Sequence, residues 1–180
     1  MVEQPQFIVP TNLSFEEALE LTEAMLDRHR EGAFSETALQ QAVADLVAGE
    51  NGARGFFVVY LSDTRSQPDA LANTVIAALK TAPEVISPLL IKNLAMSTAM
   101  AISHQRNHDQ DLALGSKQVQ TRSLHLIQRL QTPQLKEHAI ALADSLTTSS
   151  GAYATFLERW QYDPEQRQAI KQVLEQTGLL

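Results

Sequence analysis

The sequence predicts an all-α protein, a single-domain bundle of about seven to eight helices around a central apolar helix at residues 83–104. Three observations support this fold class. Helix-start signals recur along the chain, most segments repeat their apolar residues at helical spacing, and residues 83–104 are apolar nearly all round. Because a helix that is apolar all round has no solvent face, we expect amphipathic helices to pack around it.

The N-terminal region predicts an extended arm over residues 1–12, followed by one helical domain over residues 13–180. Ser14 and Glu17 form a capping box, in which each side chain accepts a hydrogen bond from the other's free backbone N–H. The first helix therefore begins at Ser14, and Gly32 is typical of its end.

A second helix is predicted from Ser35 to the glycine-rich segment 49–55, which we expect to be a flexible loop. The apolar run that follows, residues 56–61, has two interpretations. Alone it is typical of a buried strand. We favour a helix, because a lone strand would leave its N–H and C=O groups unpaired.

Residues 83–131 also have two interpretations, which differ at the polar stretch 105–111. One is a helical hairpin that turns at residues 106–108. The other is one long helix over 83–131, which the absence of Gly and Pro in the polar stretch favours. A weak heptad-like repeat runs through Leu112, Val119 and Leu126 after the polar stretch, and mostly apolar residues before the polar stretch continue it in the same frame.

Two Pro-containing pairs predict the starts of later helices. Thr132-Pro133 and Asp163-Pro164 each combine a side chain that accepts a capping hydrogen bond with a proline at the first helical position. Between these two helices, Tyr153, Phe156, Leu157 and Trp160 repeat at helical spacing and predict a short aromatic helix.

Composition excludes several function classes. The net charge of −7 argues against a nucleic-acid partner and against an anionic membrane surface, which both require a basic face. The absence of cysteine excludes disulfides, thiolate catalysis and cysteine-bound metals. The N-terminus has no basic region or long apolar run, and Pro88, Lys92 and Asn93 interrupt the apolar helix, so we expect a cytoplasmic protein that does not span a membrane.

Two groups of residues are candidates for ligand binding. Arg54, in the glycine-rich segment, is placed to neutralise an anion held by backbone N–H groups, although the glycine spacing matches no known phosphate-binding motif. On the central helix, Met96 and Met100 suit the wall of a hydrophobic pocket, in which Asn93 and Ser97 would orient a guest. Core packing is the alternative explanation for both methionines.

One candidate for metal binding is the pair His104 and His108. Four residues apart on a helix, they would share a face and chelate a divalent ion. The remaining histidines, His29, His125 and His138, are scattered singly. No Ser/His/Asp arrangement is legible, and we expect neither enzymatic activity nor a cofactor.

The function that the sequence favours is a non-enzymatic interaction or scaffolding protein that forms a homodimer or binds an unknown protein partner. The helix-rich chain, the heptad-like frame and the polar stretch around residues 105–109 all suit helix-to-helix association. The alternative is a binder of a small hydrophobic or anionic ligand, beside the central helix or at the glycine-rich segment.

Three segments of the chain resemble an uncharacterised all-helical protein family of cyanobacteria. They are ENGARGFFVVYLSD, IKNLAMSTAMAISH and FLERWQYDPEQRQAI. The resemblance covers most of the chain past residue 35. It implies an all-helical fold and no activity, cofactor or site residue.

Overall fold

The computed structural model describes residues 7–65 and 68–180, apart from the side chains of residues 68–72. The described part of the chain contains nine helices and no strand, which confirms the all-α class and exceeds the predicted number. The helices are α1 Phe15–Arg30, α2 Glu36–Val47, α3 Glu50–Ser62, α4 Pro68–Leu79, α5 Pro83–Arg106, α6 Gln110–Leu130, α7 Pro133–Thr148, α8 Ala154–Trp160 and α9 Pro164–Glu175.

The capping signals of the sequence operate as predicted. Ser14 accepts from the backbone N–H of Glu17, whose carboxylate accepts from the N–H of Ser14. Asp163 and Gln166 form the same reciprocal pair at the start of α9. These side chains satisfy backbone donors that have no partner within the helix.

The predicted loop at residues 49–55 is wrong, because all but Gly49 of this segment belong to α3. A Cβ at Gly52 would lie 2.0 Å from the carbonyl oxygen of Leu46, and one at Gly55 would lie 2.5 Å from the Cβ of Ala18. The glycines therefore allow close packing rather than a flexible turn. The helical interpretation of residues 56–61 is confirmed.

The chain forms two compact units, Met1–Ile86 and Ser87–Leu180, and α5 crosses the boundary. In the first unit, α3 packs chiefly on α1, and α2 packs on α3 and α4. Its largest fully buried side chains are Met25, Leu26, Leu39, Leu46, Phe56, Phe57, Leu61 and Leu79. The predicted arm of residues 1–12 and single domain of residues 13–180 stay predictions, and residues 1–6 lie outside the described part.

The second unit contains the remainder of α5 and the helices α6 to α9. Within it, α7 packs on both α8 and α9. Its fully buried aliphatic side chains include Leu90, Ile91, Leu94, Ile127, Leu135, Leu142, Ile170 and Leu174. The short aromatic helix is confirmed as α8, where Leu157 is buried and Trp160 is exposed.

The long helix over 83–131 is wrong, and the hairpin interpretation is confirmed. α5 ends at Arg106 and α6 begins at Gln110. His108, with φ +60°, adopts the left-handed conformation, and the N–H of Asp109 donates to the carbonyl of His104. A hydrogen bond from Gln120 to Thr98 joins the two helices at about equal distances from the turn, as expected of antiparallel neighbours.

The apolar helix α5 is also long and apolar enough to cross a membrane, judged by length and composition alone. However, 56% of its most apolar segment is buried inside the protein. A core helix satisfies the same criterion, so α5 is weak evidence for a membrane span.

Candidate interaction surface

The two halves of α6 differ in exposure. In the C-terminal half, Leu126, Ile127 and Leu130 are buried. In the N-terminal half, Leu112 is 53% exposed and Leu114 is 66% exposed. An aliphatic side chain exposed to this extent gains free energy when another surface covers it.

Leu114 lies on the outer side of its helix, because it is out of the frame that Val119 and Leu126 continue into the core. Gln110, Asp111, Lys117 and Thr121, which lie within about 60° of Leu114 around the helix, are exposed as well. We call residues 110, 111, 114, 117 and 121 the α6 surface.

A concavity of about 340 Å³ adjoins this surface. It lies beside the turn between α5 and α6, and its accessible wall is mostly apolar. The residues that line it are Gln105, His108, Gln110, Ala113, Leu114 and Lys117. The left-handed conformation of His108 therefore shapes one side of this concavity.

Contacts with α9 hold the C-terminal end of α5. The buried side-chain amide of Gln166 donates to the carbonyl of Ala99 at 3.1 Å and to the hydroxyl of Ser103 at 2.8 Å. These hydrogen bonds fix the last turns of α5, from which the chain enters the turn and then the α6 surface.

The charges next to the turn fall into two groups. Arg106 forms ion pairs with Asp163 and Glu165, and its hydrogen bond holds the pKa of Asp163 below the ordinary value of 3.8. In contrast, neither Asp111 nor Lys117 forms an ion pair with another residue that the structure describes. Within that part of the chain, the α6 surface thus presents one free charge of each sign.

At the predicted anion site, Arg54 contacts an aromatic ring and does not line the nearby groove. The guanidinium carbon of Arg54 lies 5.1 Å from the centre of the Phe15 ring, a cation–π distance. A groove of about 730 Å³ does lie at the start of α3, lined by residues 9–13, Asp45, Leu46 and residues 48–52. Its acidic side chains, Asp45 and Glu50, disfavour an anion.

The ligand residues predicted on α5 differ in burial. Ser97 is buried, and its hydroxyl donates to the carbonyl of Asn93 at 2.6 Å. Asn93, Met96 and Met100 are half-buried. None of the four lines either concavity described above, and a ligand at these residues stays a prediction.

The predicted metal pair does not share a helical face. His104 lies in the last turn of α5, whereas His108 lies beyond the end of that helix, so the helical basis for chelation is wrong. In the described ranges, no group of three or more His, Cys, Asp and Glu side chains is placed to hold a metal ion.

Sequence reasoning missed the residues that define the α6 surface. The signal for it was present, because Leu114 is a large aliphatic residue out of the heptad frame of its helix. That frame predicts a solvent-exposed Leu114, but it also includes Leu112, which is 53% exposed, so exposure in this half of α6 follows only in part from the frame.

Comparison with known proteins identifies a family. A model of the family described as "Uncharacterised conserved protein UCP020893" matches residues 14–177. Searches of curated proteins and of solved structures each returned no significant match.

Proposed function

We propose that this chain, which belongs to the uncharacterised conserved family matched over residues 14–177, is a non-enzymatic interaction protein that self-associates through its α6 surface. The observation that carries the proposal is the 66% exposure of Leu114 beside a mostly apolar concavity. A knob and a hollow on one surface suit a contact between copies.

Burial of Leu114 at a contact between copies contributes favourably but modestly to association. Complete burial of an exposed leucine side chain contributes roughly 1.5–3 kcal/mol, and a symmetric contact buries two of them. The rim consists of polar and charged side chains, which is typical of interfaces that form between folded proteins.

Sedimentation equilibrium tests the proposal over protein concentrations from about 5 to about 200 µM. We expect the mass to rise from 19.9 kDa toward twice that value. Leu114→Glu should abolish the rise, because the carboxylate would be buried without a partner.

Ile140→Glu is the matched control, because Ile140 is an exposed aliphatic residue of α7 in the same unit. This variant should associate like the wild type. A single 19.9 kDa species at every concentration, or equal loss of association in both variants, contradicts the proposal.

A second candidate function is the binding of a small ligand in the groove at the start of α3. The groove has a volume of about 730 Å³, which is within the usual range for ligand sites. Its carboxylates favour a neutral or cationic compound over the anion expected from sequence. Shifts of the Asn51 and Gly52 amide resonances, in a screen of cationic and anionic fragments, would distinguish these classes.

We further propose that the protein is cytoplasmic and that its family is cyanobacterial. Burial of more than half of the apolar segment of α5 supports the location. In fractionated host cells, the protein should appear in the supernatant after ultracentrifugation. Recovery in the membrane pellet, resistant to high salt, would instead favour a membrane role for α5.

A further inference from the structure

We infer that the α6 surface is occupied by a second copy of this chain, placed by a two-fold axis that passes close to Leu114. The inference rests on the proposed self-association and specifies its geometry. In a two-fold contact the same surface meets itself, so the surface must contain its own complement. The α6 surface is self-complementary in charge and in shape.

The charge complement consists of Asp111 and Lys117. Three residues turn a helix by about 300° and advance it by about 4.5 Å. These two side chains therefore lie about 60° to either side of Leu114, one toward each end of the helix. Consider a two-fold axis that passes close to Leu114, lies in the plane of the contact and is perpendicular to the line joining Asp111 and Lys117. This axis places Asp111 of each copy against Lys117 of the other. Two equivalent ion pairs result.

The shape complement consists of Leu114 and the concavity next to it. The concavity of about 340 Å³ lies on the Lys117 side of Leu114 and includes Ala113 in its wall. Leu114 of each copy can enter the concavity of the other, so that apolar surface on both copies leaves water. The two insertions are equivalent, as two-fold symmetry requires.

A single introduced cysteine tests the position of the axis, because the chain has no cysteine of its own. Helices in contact lie 8–10 Å apart and carry their Cα atoms about 2.3 Å from the axis. The two Cα atoms at position 114 are therefore about 3.4–5.4 Å apart, which overlaps the range that a disulfide bridges. We expect Leu114→Cys to form a covalent dimer under mild oxidation.

Thr121→Cys is the matched control. Thr121 is exposed on the same side of α6, two turns further along. It lies about 10 Å along the helix from Leu114, which separates the two copies of this residue by more than the roughly 7 Å that a disulfide bridges. Thr121→Cys should therefore remain monomeric on a denaturing gel under the same oxidation.

Charge exchange tests the pairing. Asp111→Lys and Lys117→Asp each convert two attractive contacts into two repulsive ones, and each should raise the dimer dissociation constant about tenfold. An equimolar mixture of the two variants restores opposite charges at both contacts. Its dissociation constant should return to within about threefold of the wild-type value. A general effect of Asp111→Lys on the stability of α6 does not predict this recovery.

The outcomes separate this inference from the proposed function. Self-association without a Leu114→Cys disulfide and without recovery on mixing overturns the two-fold arrangement at Leu114 and leaves self-association intact. A wild-type protein that stays at 19.9 kDa up to about 200 µM overturns both.

Discussion

Gly55 of α3 faces Ala18 of α1 so closely that a Cβ at position 55 would lie 2.5 Å from the Cβ of Ala18 and 2.9 Å from its carbonyl carbon. The two helices therefore touch almost backbone to backbone. The contact lies where α3 enters its large buried residues Phe56 and Phe57. It explains why a glycine-rich segment is helical in this protein.

Gly55→Ala should destabilise the first unit. The new methyl group must displace backbone atoms rather than a flexible side-chain end, which costs about 1–3 kcal/mol. Gly115→Ala is the matched control, because it also lies inside a helix but has nothing within 4 Å of the added Cβ. It should stabilise α6 by up to about 1 kcal/mol. Urea unfolding midpoints measure both changes, and equal shifts in the two variants would argue against the close contact.

Gln166→Ala should destabilise the second unit by about 1–3 kcal/mol, because it removes two hydrogen bonds of a buried side chain, one to the carbonyl of Ala99 and one to the hydroxyl of Ser103. Gln168→Ala, at an exposed position of the same helix, should leave the unfolding midpoint nearly unchanged. Thermal unfolding followed by the fluorescence of the single tryptophan, Trp160, compares the two. Indistinguishable melting curves for Gln166→Ala and wild type would contradict this role.

Two buried tyrosines should respond in opposite ways to loss of the hydroxyl. The Tyr153 hydroxyl lies 2.8 Å from Nδ1 of His138, whereas the buried Tyr162 hydroxyl has no hydrogen-bond partner among the described residues. Burial raises the pKa of both. Tyr153→Phe should cost about 1 kcal/mol, and Tyr162→Phe should be neutral or stabilising. Chemical unfolding measures the difference, and the reverse order would refute the assignment.

Acid should weaken the contact between α5 and α9. Because the hydrogen bond from Arg106 lowers the pKa of Asp163, the ionised carboxylate favours the folded state at pH above its ordinary value of 3.8. This contribution is lost as pH falls through the lowered pKa. Arg106→Gln should therefore flatten the loss of stability below about pH 4, relative to wild type. Unfolding midpoints at a series of pH values test this, and parallel curves for the two proteins would speak against it.

Much of the fold follows from local signals. Ser14, Thr132 and Asp163 start helices through hydrogen bonds to residues three positions later, so the sequence alone identifies them. The sequence leaves the turn at residues 107–109 open between a hairpin and one long helix, because no strong local signal marks it. The turn contains no Gly or Pro. It depends on a left-handed His108 and on Asp109 as the helix cap, and neither residue type identifies a turn from the sequence alone.

The candidate site was less predictable than the fold because it depends on tertiary exposure. The helical periodicity of α6 does not reveal that the rest of the protein buries fewer residues in its first half than in its second half. Likewise, the role of Gln166 depends on atoms 63 and 67 positions away along the chain. Local sequence patterns do not predict contacts between residues so far apart along the chain.

The central claim is that copies of this chain meet at Leu114, and methyl NMR of the wild-type protein tests it most directly. As protein concentration rises from about 5 to about 500 µM, the Leu114 methyl resonances should shift or broaden, whereas those of Ile140 should not. Leu114 methyl resonances that stay constant over this range, or that change no more than those of Ile140, would contradict the claim.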